Sequence, residues 1–447
     1  MSKLSTAASS SAAARAALCA APLLALALTA CSGTIGEDGV NLSSEKRPAQ
    51  AERETAAVVA TRQGAQPSPE AAPARPQAAA ASGAKPPPVR SRPNPSRRIP
   101  NPPFVSTPKA TFDQPWAMAF LPDGRVLVTE KPGNLKLYNP TTNTTGTITG
   151  VPSVQFGGQG GLGDVALHPQ FASNRYVYFS YAEAGANSTR GAVIARAALT
   201  LDNNGGGSLG TSQVVWRQSP KVSGEGHYSH RMLFDSSGKL WVTSGDRQKL
   251  DPAQDMNSAL GKVLRLNDDG TVPSDNPFAS QGGVTAQVWS FGHRNPLGIA
   301  RDGAGRIWTN EMGPLHGDEL NLIERGANYG WPRVSNGSHY DGVDIPDHAA
   351  NDGYNAPEAW WNPSICPSSM MIYSGDLFPY FKGHGFIGGL CSQAIVRIQF
   401  DGTTAREAER YAMGRRIREI EQGPDGAIWV LEDGSSGRLL RLTPVPF

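Results

Sequence analysis

His227 lies in a short loop, Gly226-His-Tyr-Ser-His-Arg231, where it stands four residues before Arg231. A neutral imidazole titrates near working pH, so a histidine here could take a proton from a hydroxyl. His230, in the same loop, competes for that role. Arginines gather further along, as Arg294 beside Asn295 and as Arg416 two residues before Arg418. Residues two apart on a strand face the same way, so Arg416 and Arg418 could reach one ligand. Planar guanidinium forks suit carboxylates. Taken singly, each feature has an ordinary explanation. A lone histidine usually satisfies a structural bond, an arginine pair forms salt bridges, Gly313-Pro314 is a turn and Glu319 a solvated charge. What they mean together depends on the elements that carry them.

One pattern recurs along the chain: a turn rich in Asp, Gly, Asn or Ser, then a short apolar and aromatic strand. It runs through Pro122–Glu130, Ser173–Tyr181, Ser236–Ser244, Gly303–Glu311, a degenerate Gly383–Gly389 and Pro424–Glu432. Gly accepts the positive φ of a tight turn, so Asp-Gly between apolar runs signals a hairpin. Six copies fit one per four-stranded blade, and a blade cannot bury both its faces alone. The expected fold is therefore all-β, a six-bladed β-propeller of four-stranded antiparallel blades. Seven blades or a two-sheet sandwich are the alternatives.

Between these strands lie distinctive loops. They are Gly158–Pro169, Gly226–Arg231, Asp251–Asp255 with Gly261–Leu266, Gly292-His-Arg-Asn-Pro296, Gly313–Asn321, Asn328-Tyr-Gly-Trp-Pro332 and Arg416-Ile-Arg418. In this order they resemble the PQQ-dependent soluble aldose and glucose dehydrogenases across nearly all of residues 112–442. The resemblance implies oxidation of aldoses at C1 to lactones, with electrons passed to an external acceptor such as a quinone or small redox protein. PQQ carries three carboxylates, so its site needs cations. By resemblance His227 is the base, and Gln159, Arg294, Asn295, Arg416 and Arg418 hold PQQ. Tyr340 falls beside it by spacing from the Asn328–Pro332 loop. Gly313 and Pro314 would offer carbonyls to the Ca2+ that binds PQQ, a hard cation suited to many oxygen ligands. Glu319 and Tyr329, the latter through its carbonyl, would hold a second Ca2+.

Two departures stand out. Glucose-oxidising relatives have a glutamine where Leu297 stands, and a PQQ-contacting lysine where Cys391 falls. Weaker PQQ binding and an altered substrate range would follow. Two other readings compete: a calcium-dependent lactonase-like hydrolase, and a non-catalytic ligand-binding propeller with a decayed quinone site.

The 447 residues are not uniform. Residues 1–31 read as an export leader, with Lys3, Arg15 and an apolar run from Leu18 to Ala30 too short to span a bilayer. Leu28-Thr-Ala-Cys31 resembles a bacterial lipobox, with Cys31 as the lipidation site. This implies an exported, periplasmic or outer-membrane lipoprotein facing the periplasm, held to the membrane by its lipid alone. Residues 32–103, rich in Ala, Pro, Ser and Arg, lack the apolar surface to fold and are expected to be a disordered tether. That leaves 104–447 for the propeller. A formal charge of +2 gives no support for nucleic-acid binding. Cys366 and Cys391 are the two cysteines inside the fold, and their pairing is open.

Overall fold

The computed structural model describes residues 101–446. The leader, Cys31 and residues 32–100 of the proposed tether lie outside the described residues.

Each of the six turn-and-strand copies leads into the second strand of an antiparallel set. These are Val126–Glu130, Tyr176–Ala184, Leu240–Ser244, Ile307–Glu311, Gly385–Gly389 and Ile428–Glu432. The turn before Ile307 shows why. The Asp302 carboxylate accepts the Ala304 and Arg306 amides at 2.9 Å each, and Gly305 closes the turn at φ +89°. That positive φ is a conformation glycine takes without steric cost. Five of the six second strands are buried at every residue. Burial on both faces requires that each set be sandwiched between neighbours, whereas the outer strand Thr144–Thr149 is mostly exposed.

Four sheets are separate and four-stranded. The fifth has nine strands, because the first two sets are bridged by Gly207–Leu209, which runs parallel to Thr144–Thr149. The first strands of successive sets are Pro115–Phe120, Leu162–Leu167, Ser229–Phe234, Pro296–Arg301, Pro367–Ile372 and Ile417–Gln422. Each packs on the next and the last returns to the first, a closed circuit typical of a propeller-like fold. Phe104–Phe112 pairs antiparallel with Gly437–Pro444, so an early strand completes the final sheet. Between the sheets, Trp308, Tyr178 and Phe386 are wholly buried. Burial of a side chain of this size contributes about 2 kcal/mol. Among the described residues no helix is long and apolar enough to cross a membrane.

Register decides where chemistry can gather. Ser229 pairs with Ser244, Pro296 with Glu311 and Ile417 with Glu432. The start of each first strand thus lies beside the end of its second strand. Residues entering the former and leaving the latter converge at one end of the ring.

Candidate functional site

His227 precedes the first strand of the third set and has a φ of +50°, followed by +56° at Ser229 and +51° at His230. Left-handed backbone is uncommon at non-glycine residues and must be held by its surroundings. Gln159 Oε1 accepts the His227 amide at 2.7 Å. The buried Arg247 guanidinium donates to Gly226 O at 2.8 Å, Gly224 O at 2.5 Å and Arg190 O at 2.7 Å. Gly245 has no side chain, and a Cβ there would collide with the His227 carbonyl.

The imidazole is buried, with Nδ1 2.7 Å from Asp246 Oδ1. Asp246 also accepts the Gln248 amide and the Trp331 indole N–H, each at 2.8 Å. Burial favours the neutral acid, but His227, Arg294 and Trp331 together hold the Asp246 carboxyl below its ordinary range. An ionised carboxylate only accepts, so the proton sits on Nδ1 and the Nε2 lone pair is left for a substrate. Burial, then the Arg294 charge, push the His227 ring below the usual histidine range, while Asp246 pulls it back. A neutral imidazole with a fixed tautomer is the form a general base needs. His230 is different: its Nδ1 lies 2.6 Å from Ser180 Oγ and its ring stacks on Trp116. Burial and the Arg231 charge bring it down to about 3. Arg231 bonds Asp164 at 3.2 Å and Glu419 at 2.5 Å, away from the His227 ring.

One cavity brings together Gln159, His227, Arg294, Gly313, Pro314, Tyr340 and Arg416. A central chamber shares Gln159 and Arg416 with it and adds Arg418, Asp433 and Leu297. Arg294 donates to Met312 O at 3.0 Å and to the Tyr340 hydroxyl at 3.1 Å. Arg416 and Arg418 reach the two oxygens of Asp433 at 2.8 and 2.9 Å. Burial opposes ionisation of Asp433, but the two guanidinium groups hold its carboxyl far below the usual range. Arg294 Nε and Asn295 Nδ2 are buried and have no hydrogen-bond partner among the described residues. Buried donors without acceptors are costly, and Arg294, which lines the cavity, fits an acceptor-rich anionic ligand such as PQQ, whereas Asn295 lines neither chamber.

Asn295, Glu319 and Tyr329 do not line the cavity. Glu319 sits opposite Glu311 across adjacent strands, and Asn321 Nδ2 bridges them at 3.1 and 3.0 Å. Burial, then the Glu311 charge, push the Glu319 carboxyl well above its usual range. His293 bonds Glu311 at 2.9 Å and stacks on the Tyr329 ring. Asn321 Oδ1 is buried and has no partner among the described residues. Two crowded carboxyls and an unsatisfied oxygen fit a hard cation. At Gly313 a Cβ would collide with the His316 and Gly317 carbonyls, which makes that turn oxygen-rich. Among the described residues no group of three or more His, Cys, Asp or Glu is placed to hold a metal, so main-chain oxygens would have to contribute. Cys366 and Cys391 form a disulfide, and both line the cavity.

The model of the glucose/sorbosone dehydrogenase family matches residues 112–441. The chain belongs to the glucose/sorbosone dehydrogenase family. It is 38% identical over 338 residues to the aldose sugar dehydrogenase YliI of Escherichia coli K12, covering 74% of this chain and 90% of that one. The apo-form structure of the soluble Escherichia coli aldose sugar dehydrogenase superposes with a TM-score of 0.73 at 36% identity, over 76% of this chain and 100% of the other. The PQQ-bound aldose sugar dehydrogenase of Streptomyces coelicolor gives a TM-score of 0.63 at 27% identity, over 77% and 99%.

For this member of the glucose/sorbosone dehydrogenase family, sequence reasoning did not single out Asp246, Asp318 or Asp433. Asp318 lines the cavity and accepts the Gly313 amide at 3.0 Å and the Cys366 amide at 2.7 Å. Burial pushes its carboxyl up to about 6. A signal was present for the other two. Asp246 and Asp433 follow second strands, as Gly313 and Cys391 do.

Proposed function

We propose that this protein is a PQQ- and calcium-dependent aldose dehydrogenase on a six-bladed β-propeller, oxidising C1 to a lactone for an external acceptor. The reading is carried by the His227–Asp246 pair at 2.7 Å beside a cavity lined by Arg294 and Arg416. The names of its relatives and the PQQ-bound neighbour support it. The six first strands packed in a closed circuit support the blade count.

When bound, PQQ would accept the hydride of the anomeric carbon and Ca2+ would polarise the quinone oxygen. Gln159, Arg294, Tyr340, Arg416 and Arg418, which line the two chambers, are the residues that would hold PQQ, the guanidinium groups meeting its carboxylates, with the buried Asn295 next to Arg294 in the chain. Gly313 and Pro314 would hold its Ca2+, and Glu319 with Tyr329 the second. His227 Nε2 takes the C1 hydroxyl proton, and Asp246 keeps Nδ1–H in place and stabilises the imidazolium that forms. Arg294, which donates to the Tyr340 hydroxyl, would help to orient the cofactor. The same proposal includes export and lipidation at Cys31, with residues 32–103 as the tether, resting on the leader sequence alone.

The test is to add PQQ and Ca2+ to the purified apo-protein and follow dye reduction with a panel of aldoses. No dye reduction together with no PQQ-dependent absorbance change would overturn the reading. The second calcium has its own check. Saturating Ca2+ is expected to raise the melting temperature of the apo-protein by roughly 5 °C. Glu319→Gln is expected to lose most of that rise, and an undiminished rise would remove Glu319 from the site.

A further inference from the structure

We propose that Lys131 is a cofactor-binding residue whose ammonium pairs with a carboxylate of PQQ beside Arg416 and Arg418, an inference that rests on the quinone reading above. Its place in the fold is the first argument. Lys131, Met312, Leu390 and Asp433 are each the first residue after a second strand, and all four line the central chamber. The set that carries Lys131 packs through Pro115–Phe120 against Ile417–Gln422, the strand that carries Arg418. The register that presents Asp433 to the two arginines thus presents a lysine from the adjoining set.

Local contacts fix that position. The Lys131 amide donates to Gln114 O at 3.0 Å, and Lys131 O accepts the Leu162 amide at 2.9 Å. Its Nζ reaches Gly158 O at 2.8 Å and lies 5.9 Å from the Phe156 ring centroid. Gly158 adjoins Gln159, which lines both chambers and holds the His227 amide. The ammonium is therefore attached to the loop that supports the candidate base.

Charge is the second argument. Asp433 binds both Arg416 and Arg418, so one of their two positive charges is offset inside the chamber. Residue 391 is a disulfide cysteine and contributes none. A tricarboxylate bound here would have Arg294, Arg416, Arg418 and the Ca2+ proposed at Gly313 and Pro314 to meet it. Lys131 adds a further cation to the chamber wall that carries Arg416 and Arg418, as a compact point charge that needs no fork geometry.

PQQ affinity of the apo-protein in Ca2+ buffer, read by quenching of tryptophan fluorescence, tests this without turnover. Lys131→Met is expected to weaken PQQ binding roughly fivefold to tenfold. Its affinity should also fall less with added salt than that of the wild type. Lys131→Arg should recover most of the loss, and Lys109→Met, remote from the chamber, should bind normally. Wild-type affinity in Lys131→Met would overturn the inference and leave the quinone reading intact. Weakened binding with the wild-type salt dependence would also overturn it, since that is the mark of a disturbed Gly158 loop. A wild-type protein that does not bind PQQ refutes the quinone reading and this inference with it.

Discussion

His227→Ala is expected to lower dye-linked turnover about a thousandfold while PQQ affinity changes little. The ring is the buried, carboxylate-oriented imidazole of the cavity, so its loss removes the proton acceptor and leaves the arginine contacts in place. Turnover that survives the change would reassign the base. His230 is a poor substitute, because its Nδ1 meets Ser180 rather than a carboxylate and burial brings it down to about 3. A pH profile adds an independent check. The basic form of His227 is lost only as pH falls through its lowered pKa. The acid limb of kcat/KM should therefore lie below the ordinary histidine value of about 6.5. A limb at or above that value would contradict the proposed state of the ring.

The parts of the fold that were legible in the sequence are those written locally. A turn such as Asp302–Gly305 is built from adjacent residues, and the strand after it is short, apolar and wholly buried. Outer strands such as Thr144–Thr149 are polar and exposed and carry no such signal, and the bridge through Gly207–Leu209 depends on a partner far away in sequence. The site divides in the same way. Loops entering the first strands could be recognised, and Gln159, His227, Arg294 and Arg416 meet in one cavity. The carboxylates that tune them were not recognised, because Asp246 and Asp433 act from the neighbouring strand end. The expectation that Glu319 is a solvated charge would have failed, since it is buried against Glu311. The Cys366–Cys391 pairing was open in the sequence because spacing alone cannot bring two Cα atoms to 5.2 Å.

Asp246→Asn should be nearly as damaging as loss of the base itself, on the order of a hundredfold in kcat. Asp246 Oδ1 accepts from both His227 and the Gln248 amide, and Oδ2 accepts from the Trp331 indole. An asparagine offers one acceptor and one donor group in the same space. If its oxygen faces His227 and Gln248, its NH2 opposes the indole N–H and a buried donor is orphaned. If it flips, the NH2 opposes the Gln248 amide and meets Nδ1. The ring must then carry its proton on Nε2, where it cannot act as a base. Both orientations also remove the negative charge that raises the His227 pKa. The acid limb of the variant's kcat/KM should consequently move to lower pH while its plateau drops. A merely structural role for Asp246 would lower the melting temperature without moving that limb. An unmoved limb with a normal plateau would separate Asp246 from the proton transfer altogether.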